Sequence, residues 1–172
     1  MTVTTQADLF GHEPERTLKA ISLWEPWASA MALGLKQNET RSWGTDYRGD
    51  LVICAARRPM MPPEWEVFDR WVRPQVQEPF YVLPYGCALA VVEVYDCRRT
   101  ESFLSLSGEM LSRQELALGN YDFGRYAWMT RNLRRLKTPV PFRGRQGFFS
   151  IPEKLILPNL ETFHVEQGGV NG

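Results

Sequence analysis

Three charged side chains, Lys36, Glu39 and Arg41, lie close together in the segment GLKQNETRSW, which runs from Gly34 to Trp43. As a strand with alternating faces, the segment places Glu39, Arg41 and Trp43 on one face. A carboxylate can hold a guanidinium in place, and an aromatic ring can close one end of a polar site. Lys36 has the opposite parity and joins them only if the backbone after Gly34 is irregular. From these residues alone, a solvated edge strand with a surface ion pair is the favoured interpretation, and a polar binding site is the alternative.

A second group of residues suited to nucleic acid lies between Gly124 and Ile151, where the chain has no acidic residue. Tyr126 and Trp128 are interleaved there with the basic residues Arg125, Arg131, Arg134, Arg135, Lys137, Arg143 and Arg145. We expect Arg125 and Arg131 to bind phosphates and the two aromatic rings to stack on bases. The alternative is that Trp128 belongs to the core of a strand and the arginines form a solvated face.

Trp24 and Trp27 flank Glu25 and Pro26 at the first predicted strand-to-helix junction. Either ring could stack on a base, but Trp27 lies inside the predicted helix and is expected to pack against the domain. Trp24 is therefore the predicted stacking residue. Arg57, with its neighbour Arg58, follows the next strand and could add a phosphate contact, the alternative being a plain surface role.

Composition excludes several classes of function. The 172 residues carry 20 basic and 20 acidic side chains, so the formal net charge is zero and any nucleic acid must meet a local basic surface. The two histidines, His12 and His164, lie near the ends, which disfavours a histidine-based zinc site or catalytic triad. Phosphate-loop and dinucleotide motifs are missing, so we expect no cofactor and no metal.

The three cysteines form no CxxC pair, which favours reduced thiols and a cytoplasmic location. Cys54 and Cys87 lie in apolar runs and are most simply core residues. No apolar stretch reaches the roughly 18 residues that a membrane span requires, so we expect no membrane association.

Hydrophobic patterning predicts about six short strands with two or three helices inserted between them. Helices are expected after Pro26, ending at Gly34, and from Pro62 to before Pro74. Ser112 and Glu115 form a capping box for a third helix. The predicted strands are LKAISLW, the segment after Gly34, DLVICAA, CALAVVEVYDC, RYAWMTRNL and RQGFFSI. Because strands and helices do not alternate steadily, the predicted class is α+β, a small mixed β-barrel.

Domain organisation is read from the polar ends of the chain. Residues 1–17 lack periodicity and are predicted to form a flexible arm, and residues 158–172 a polar tail. The domain between them, residues 18–157, is long enough to bury a core of its own.

An ordered series of motifs resembles the activating signal cointegrator homology (ASCH) domain, a branch of the PUA-like β-barrels. Its pattern G-x-K-x-x-E-x-R is met by Gly34, Lys36, Glu39 and Arg41, preceded by SLWEPWA and followed by YRG, PYG and YAWMTRNLRRLKTPVPFRGRQGFF. The resemblance spans about residues 18–152. It implies a small barrel with a cleft beside the first helix, and a fold associated with binding RNA or other nucleic acids. We therefore expect a binding module for single-stranded or modified RNA.

One group of ASCH proteins resembles an amidohydrolase that removes acyl groups from N4-acylated cytidine with a Lys-x-x-Thr pair and a distant glutamate. By this resemblance Lys36 would be the catalytic lysine and Glu109 the glutamate, whereas Glu39 stands where the threonine is expected. A carboxylate cannot replace an activated hydroxyl. Hydrolysis of a modified nucleoside is thus the alternative function.

A short motif in the predicted arm is separate from the domain. The pentapeptide QADLF, with Gln6, Leu9 and Phe10, resembles the segment by which many bacterial proteins bind the replication sliding clamp. Two apolar side chains at this spacing would enter a groove on the partner. The alternative is an accidental match in a flexible segment.

Overall fold

The computed structural model describes residues 14–76, 82–103 and 111–161, and it contains one six-stranded sheet. The strands are β1 Thr17–Leu23, β2 Asn38–Arg41, β3 Gly49–Ala55, β4 Cys87–Arg99, β5 Tyr126–Pro141 and β6 Phe149–Pro152. The α-helices are α1 Trp27–Ala32, α2 Pro62–Val67, α3 Arg113–Leu118 and α4 Glu153–Ile156. A π-helix, Phe68–Val72, and 3₁₀ turns at Arg73–Gln75, Thr100–Phe103 and Leu157–Asn159 complete the elements.

The order of the sheet is β2-β5-β4-β3-β1-β6, and only β1 and β3 run parallel within the described residues. The predicted α+β class with about six strands and three inserted helices is confirmed. The predicted barrel is not closed, because β2 and β6 are the two edges of the sheet in the described part of the chain. Three register shifts between β4 and β5 add local twist, which lets the sheet bend without closing.

Two apolar clusters cover the two faces of this sheet. One lies under α1 and includes Ile21, Met31 and Trp128; the other, beneath α4, includes Val52 and Ile151. Strand β3 faces both clusters, which explains its unbroken apolar run. No helix of the described residues is long and apolar enough to cross a membrane.

Cys54 and Cys87 are free and buried in these clusters, as their apolar surroundings in the sequence indicate. Burial raises the pKa of Cys54 to about 12 and the pKa of Cys87 to about 11. Both thiols are therefore neutral at physiological pH and unreactive as nucleophiles.

Trp128 belongs to the core, which is the alternative that the sequence left open to its stacking on a base. Its side chain is 0% exposed. The indole stacks on Phe148 with ring centroids 5.3 Å apart, and its Nε1–H donates to the carbonyl of Trp43 over 3.2 Å. A base could reach this ring only if the core opened.

Replacing Trp128 by Ala should lower the free energy of unfolding by about 3–5 kcal/mol, because it leaves a large cavity in the core. Urea denaturation measures this loss. Trp65→Ala is the matched control, since Trp65 is 42% exposed, and it should cost far less. Equal losses in the two variants would contradict the assignment of Trp128 to the core.

Candidate functional site

A cleft of about 510 Å³ opens beside α1, between the end of β1 and strand β2. Four stretches of chain form its wall: the β1–α1 junction, the segment that contains β2, the end of α3, and the residue before β5. The residues that line it are Ser22, Leu23, Trp24, Trp27, Lys36, Glu39, Thr40, Arg41, Ser42, Trp43, Ala117, Leu118, Gly119, Asn120 and Arg125.

Glu39 lies between two cations in the wall of this cleft. One carboxylate oxygen, Oε1, is 2.8 Å from Nε of Arg41, and Oε2 is 3.5 Å from Nζ of Lys36. Glu39 is 6% exposed and Lys36 is 3% exposed. Lys36 also donates to the carbonyl of Asn38, and Arg41 donates from Nη2 to the carbonyl of Ser22 over 3.2 Å. The predicted convergence of the three charged side chains is therefore present.

The backbone after α1 explains how Lys36 reaches Glu39. Gly34 has φ +74°, a left-handed conformation that ends the helix. The amides of Leu35 and Lys36 both donate to the carbonyl of Ala30, and β2 begins only at Asn38. Lys36 thus precedes the regular strand, so the alternation of strand faces does not separate it from Glu39.

Helix α3 holds this irregular segment in place. The carboxylate of Glu115 accepts from the amides of Gln37 over 2.7 Å and Asn38 over 3.0 Å. It also accepts from the hydroxyl of Tyr121 over 2.9 Å. The hydroxyl of Ser112 caps α3 as predicted, but Glu115 binds the start of β2 instead of completing the capping box. Burial, together with the charge of Glu115, raises the pKa of Tyr121.

Trp24 forms the exposed aromatic part of the cleft, as predicted. It is 51% exposed, and the guanidinium of Arg58 lies over its ring at 4.0 Å. Both oxygens of Glu64 accept from Arg58, over 2.8 and 2.9 Å. A fork of two hydrogen bonds fixes the guanidinium plane, so the Trp24 ring is supported by a rigid partner. No local pattern indicates this stack, because Arg58 lies 34 positions after Trp24.

Arg125 and Trp43 complete the predicted residues that line the cleft. Arg125 donates to the carbonyls of Asn120 over 3.2 Å and Thr40 over 3.4 Å. The ring of Trp43 meets Trp128 edge-on, with centroids 4.6 Å apart. Trp43 therefore joins one end of the cleft to the buried ring of Trp128.

Three further predicted residues, Arg57, Tyr126 and Arg131, lie outside the lining of the cleft. Arg57 has its side chain against Gly86. The hydroxyl of Tyr126 accepts from Arg99 over 2.9 Å, and its ring lies against Gly44. Arg57 and Tyr126 are therefore not among the residues that line the cleft, and their contacts with nucleic acid stay predictions.

Arg131 is also engaged outside the cleft. Its guanidinium pairs with Glu93 over 2.5 Å and lies 5.0 Å from the centre of the Tyr95 ring. A phosphate contact by Arg131 would compete with this ion pair. Arg131 itself is not among the residues that line the cleft. Glu109 and the clamp-like residues Gln6, Leu9 and Phe10 lie outside the described residues, and their roles stay predictions. No group of side chains in the described ranges could hold a metal ion.

Glu25 is a buried carboxyl that the sequence patterns did not single out. It is 0% exposed and accepts from the amide of Ser29 over 3.0 Å and from its hydroxyl over 2.9 Å. Burial raises its pKa to about 7, and these hydrogen bonds offset only part of that effect. Glu25 lies in the chain between Trp24 and α1. Ionisation of its carboxyl group therefore changes the charge next to the residue that carries the exposed ring.

Stability should therefore fall as the pH rises through the titration of Glu25. The folded pKa of about 7 exceeds the ordinary value of 4.5, so the stabilisation is complete below 4.5 and is lost as the pH rises through 7. Glu25→Gln stays neutral, so its stability should not fall in this way over the same pH range. Urea denaturation at several pH values tests this. The same pH dependence in both proteins would contradict it.

Glu115→Gln should loosen the segment that carries Lys36, because the amide nitrogen cannot accept from a backbone N–H. We expect a loss of about 1–3 kcal/mol in the free energy of unfolding and faster hydrogen exchange at the amides of Gln37 and Asn38. Ser112→Ala is the control: it should cost about 1 kcal/mol by removing the cap while leaving those two amides protected. Unchanged protection in Glu115→Gln would contradict the role of Glu115.

Most of the chain matches a known domain family. Residues 21–139 match the ASCH domain family. Activating signal cointegrator 1 from Mus musculus and from Homo sapiens are each 26% identical to this chain over 138 residues, covering 78% of the chain and 22% of the relative. The chain thus spans about a fifth of the length of these relatives.

Among solved structures, the ASCH protein of Zymomonas mobilis is similar, with 16% identity and a TM-score of 0.48, covering 80% of this chain and 89% of the other. A mutant of that protein matches with a TM-score of 0.47 at the same identity, covering 80% and 91%. The match of the family to residues 21–139 covers more than half of the chain. The chain therefore belongs to the ASCH domain family.

Proposed function

We propose that the cleft binds one nucleotide of a single-stranded or modified RNA. The observation that carries this proposal is the charge of the lining. By formal charge, the lining has three cationic side chains, Lys36, Arg41 and Arg125, and one carboxylate, Glu39. Its formal net charge is therefore plus two, in a chain whose formal net charge is zero. A concentration of positive charge in a concave site favours an anionic ligand. A volume of about 510 Å³ is within the range of small-molecule sites.

The aromatic lining supports a ligand with a flat ring. Trp24 offers an exposed indole that Arg58 supports, and stacking of a base on an aromatic side chain contributes about 1–3 kcal/mol. A base can enter such a cleft only when it is unpaired and unstacked, which favours single strands over duplexes.

Glu39 supplies the polar recognition in this proposal. A carboxylate has about four lone-pair positions, of which the contacts with Arg41 and Lys36 occupy two. An amino group on a base can donate to a remaining position, while the neighbouring cations donate to carbonyl or phosphate oxygens. Glu39 therefore organises the cations and can also read the base.

Hydrolysis of an N4-acylated cytidine is the second candidate, and the position of Lys36 in the cleft favours it. Position 39 holds a carboxylate where this group of enzymes would require threonine, and the hydroxyl of the neighbouring Thr40 accepts from the amide of Asn120 over 2.9 Å. Chromatography after incubation with N4-acetylcytidine tests this candidate. No product, or undiminished product with Lys36→Ala, would exclude it.

Fluorescence anisotropy with labelled single-stranded RNA tests the binding proposal. Wild type should bind, and its affinity should fall as salt rises from about 50 to about 200 mM. Trp24→Ala should weaken binding by about tenfold, consistent with the loss of one stacked base. Single-stranded DNA and duplex RNA of matched sequence should bind less tightly.

Trp65→Ala is the matched control, because Trp65 is exposed and lies outside the cleft lining. It should bind as the wild type does. No binding by wild type, an affinity that does not depend on salt, or equal affinities for wild type and Trp24→Ala would each overturn the proposal.

A further inference from the structure

The segment that joins β5 to β6 passes directly against the cleft. Gly144 approaches Ser22 so closely that a Cβ atom added to it would lie 1.8 Å from Oγ of Ser22. Ser22 lines the cleft, and its Oγ is buried without a hydrogen-bond partner among the residues that the structure describes. A side chain at position 144 would clash with this hydroxyl, so either the Ser22 side chain would have to turn or the loop would have to move. The segment 142–147, here called the β5–β6 loop, is thus fixed at the edge of the cleft.

Two exposed arginines flank this contact. Arg143 and Arg145 are the residues on either side of Gly144, and neither has an ion pair or a side-chain hydrogen bond to another described residue. Most other arginines in the described ranges are paired with carboxylates. The arginines so paired are Arg41, Arg48, Arg58, Arg73, Arg98, Arg99, Arg131 and Arg134.

The guanidinium groups of Arg143 and Arg145 lie on either side of the residue that contacts Ser22, so they place a positively charged surface at the edge of the cleft. An arginine that has a carboxylate partner must give it up to bind a phosphate, whereas Arg143 and Arg145 have no such pair to break. Their separation by one residue places them within about 7 Å of each other along the backbone. The chemistry that fits such a surface is a chain of phosphodiesters rather than a single anion.

We infer that the sugar-phosphate backbone of a bound strand leaves the cleft across the β5–β6 loop, where Arg143 and Arg145 hold the phosphates next to the nucleotide in the cleft. This inference rests on the proposed function, and it makes the ligand an oligonucleotide rather than a free nucleotide. The cleft then reads one base, and the loop adds affinity without regard to sequence.

A series of single-stranded RNAs from one to six nucleotides, each with a 5′-phosphate, tests the inference by calorimetry and anisotropy. For wild type, the affinity should rise with length. The double variant Arg143→Gln/Arg145→Gln should bind the mononucleotide as wild type does but the hexanucleotide about tenfold more weakly. The slope of log affinity against log salt should decrease by about 1.4, as expected for two lost phosphate contacts with a single strand.

Arg70→Gln/Lys154→Gln is the matched control, because both side chains are exposed, lie outside the cleft lining, and change the net charge equally. It should retain the affinity for the hexanucleotide. Equal losses in the two double variants, or a wild-type affinity that does not rise with length, would overturn the inference while leaving a nucleotide site in the cleft. No binding at any length would overturn the proposed function itself.

Discussion

The buried contact of Glu39 with Lys36 and Arg41 is the interaction on which the rest of the cleft depends. An isolated charge at this depth would be costly, and two neighbouring cations without the carboxylate would repel each other. Glu39 contacts both, at 3.5 and 2.8 Å, so the three side chains are stable together but not separately. The cations remain in the wall of the cleft because the carboxylate holds them there, and the net positive charge that attracts an anionic ligand follows from this.

Contacts with several other elements support the ion pairs of Glu39. The left-handed Gly34 releases Lys36 from the strand register, and Glu115 on α3 binds the next two amides. The carbonyl of Ser22 on β1 accepts from Arg41, which joins β2 to the opposite side of the cleft. Pairing of β2 with β5 supplies the remaining support. The cleft is thus built by contacts between distant parts of the chain, and the open edge of the sheet at β2 forms one of its walls.

How much of this could be predicted from the sequence depends on whether the signal was local. Lys36, Glu39 and Arg41 lie within six residues, but their spacing alone also fits a solvated edge strand, and it was the resemblance to the ASCH pattern that placed them together in a cleft. The role of Trp128 stayed open because alternation does not tell which face of a strand is covered, and Ala127, Trp128 and Met129 are all buried. The contact of Glu115 with Gln37 spans 78 positions and has no local sign. The choice of partner by each arginine likewise depends on tertiary structure.

Binding of single-stranded RNA in the cleft is most directly tested by titration with an RNA tetranucleotide. The signals to observe are those of the indole N–H groups of the six tryptophans in a ¹H–¹⁵N correlation spectrum. The signals of Trp24 and Trp43, which line the cleft, should shift in proportion to occupancy. Those of Trp65 and Trp71, which are not part of the lining, should remain in place. Saturable shifts confined to Trp65 and Trp71, with Trp24 and Trp43 unchanged, would contradict the account.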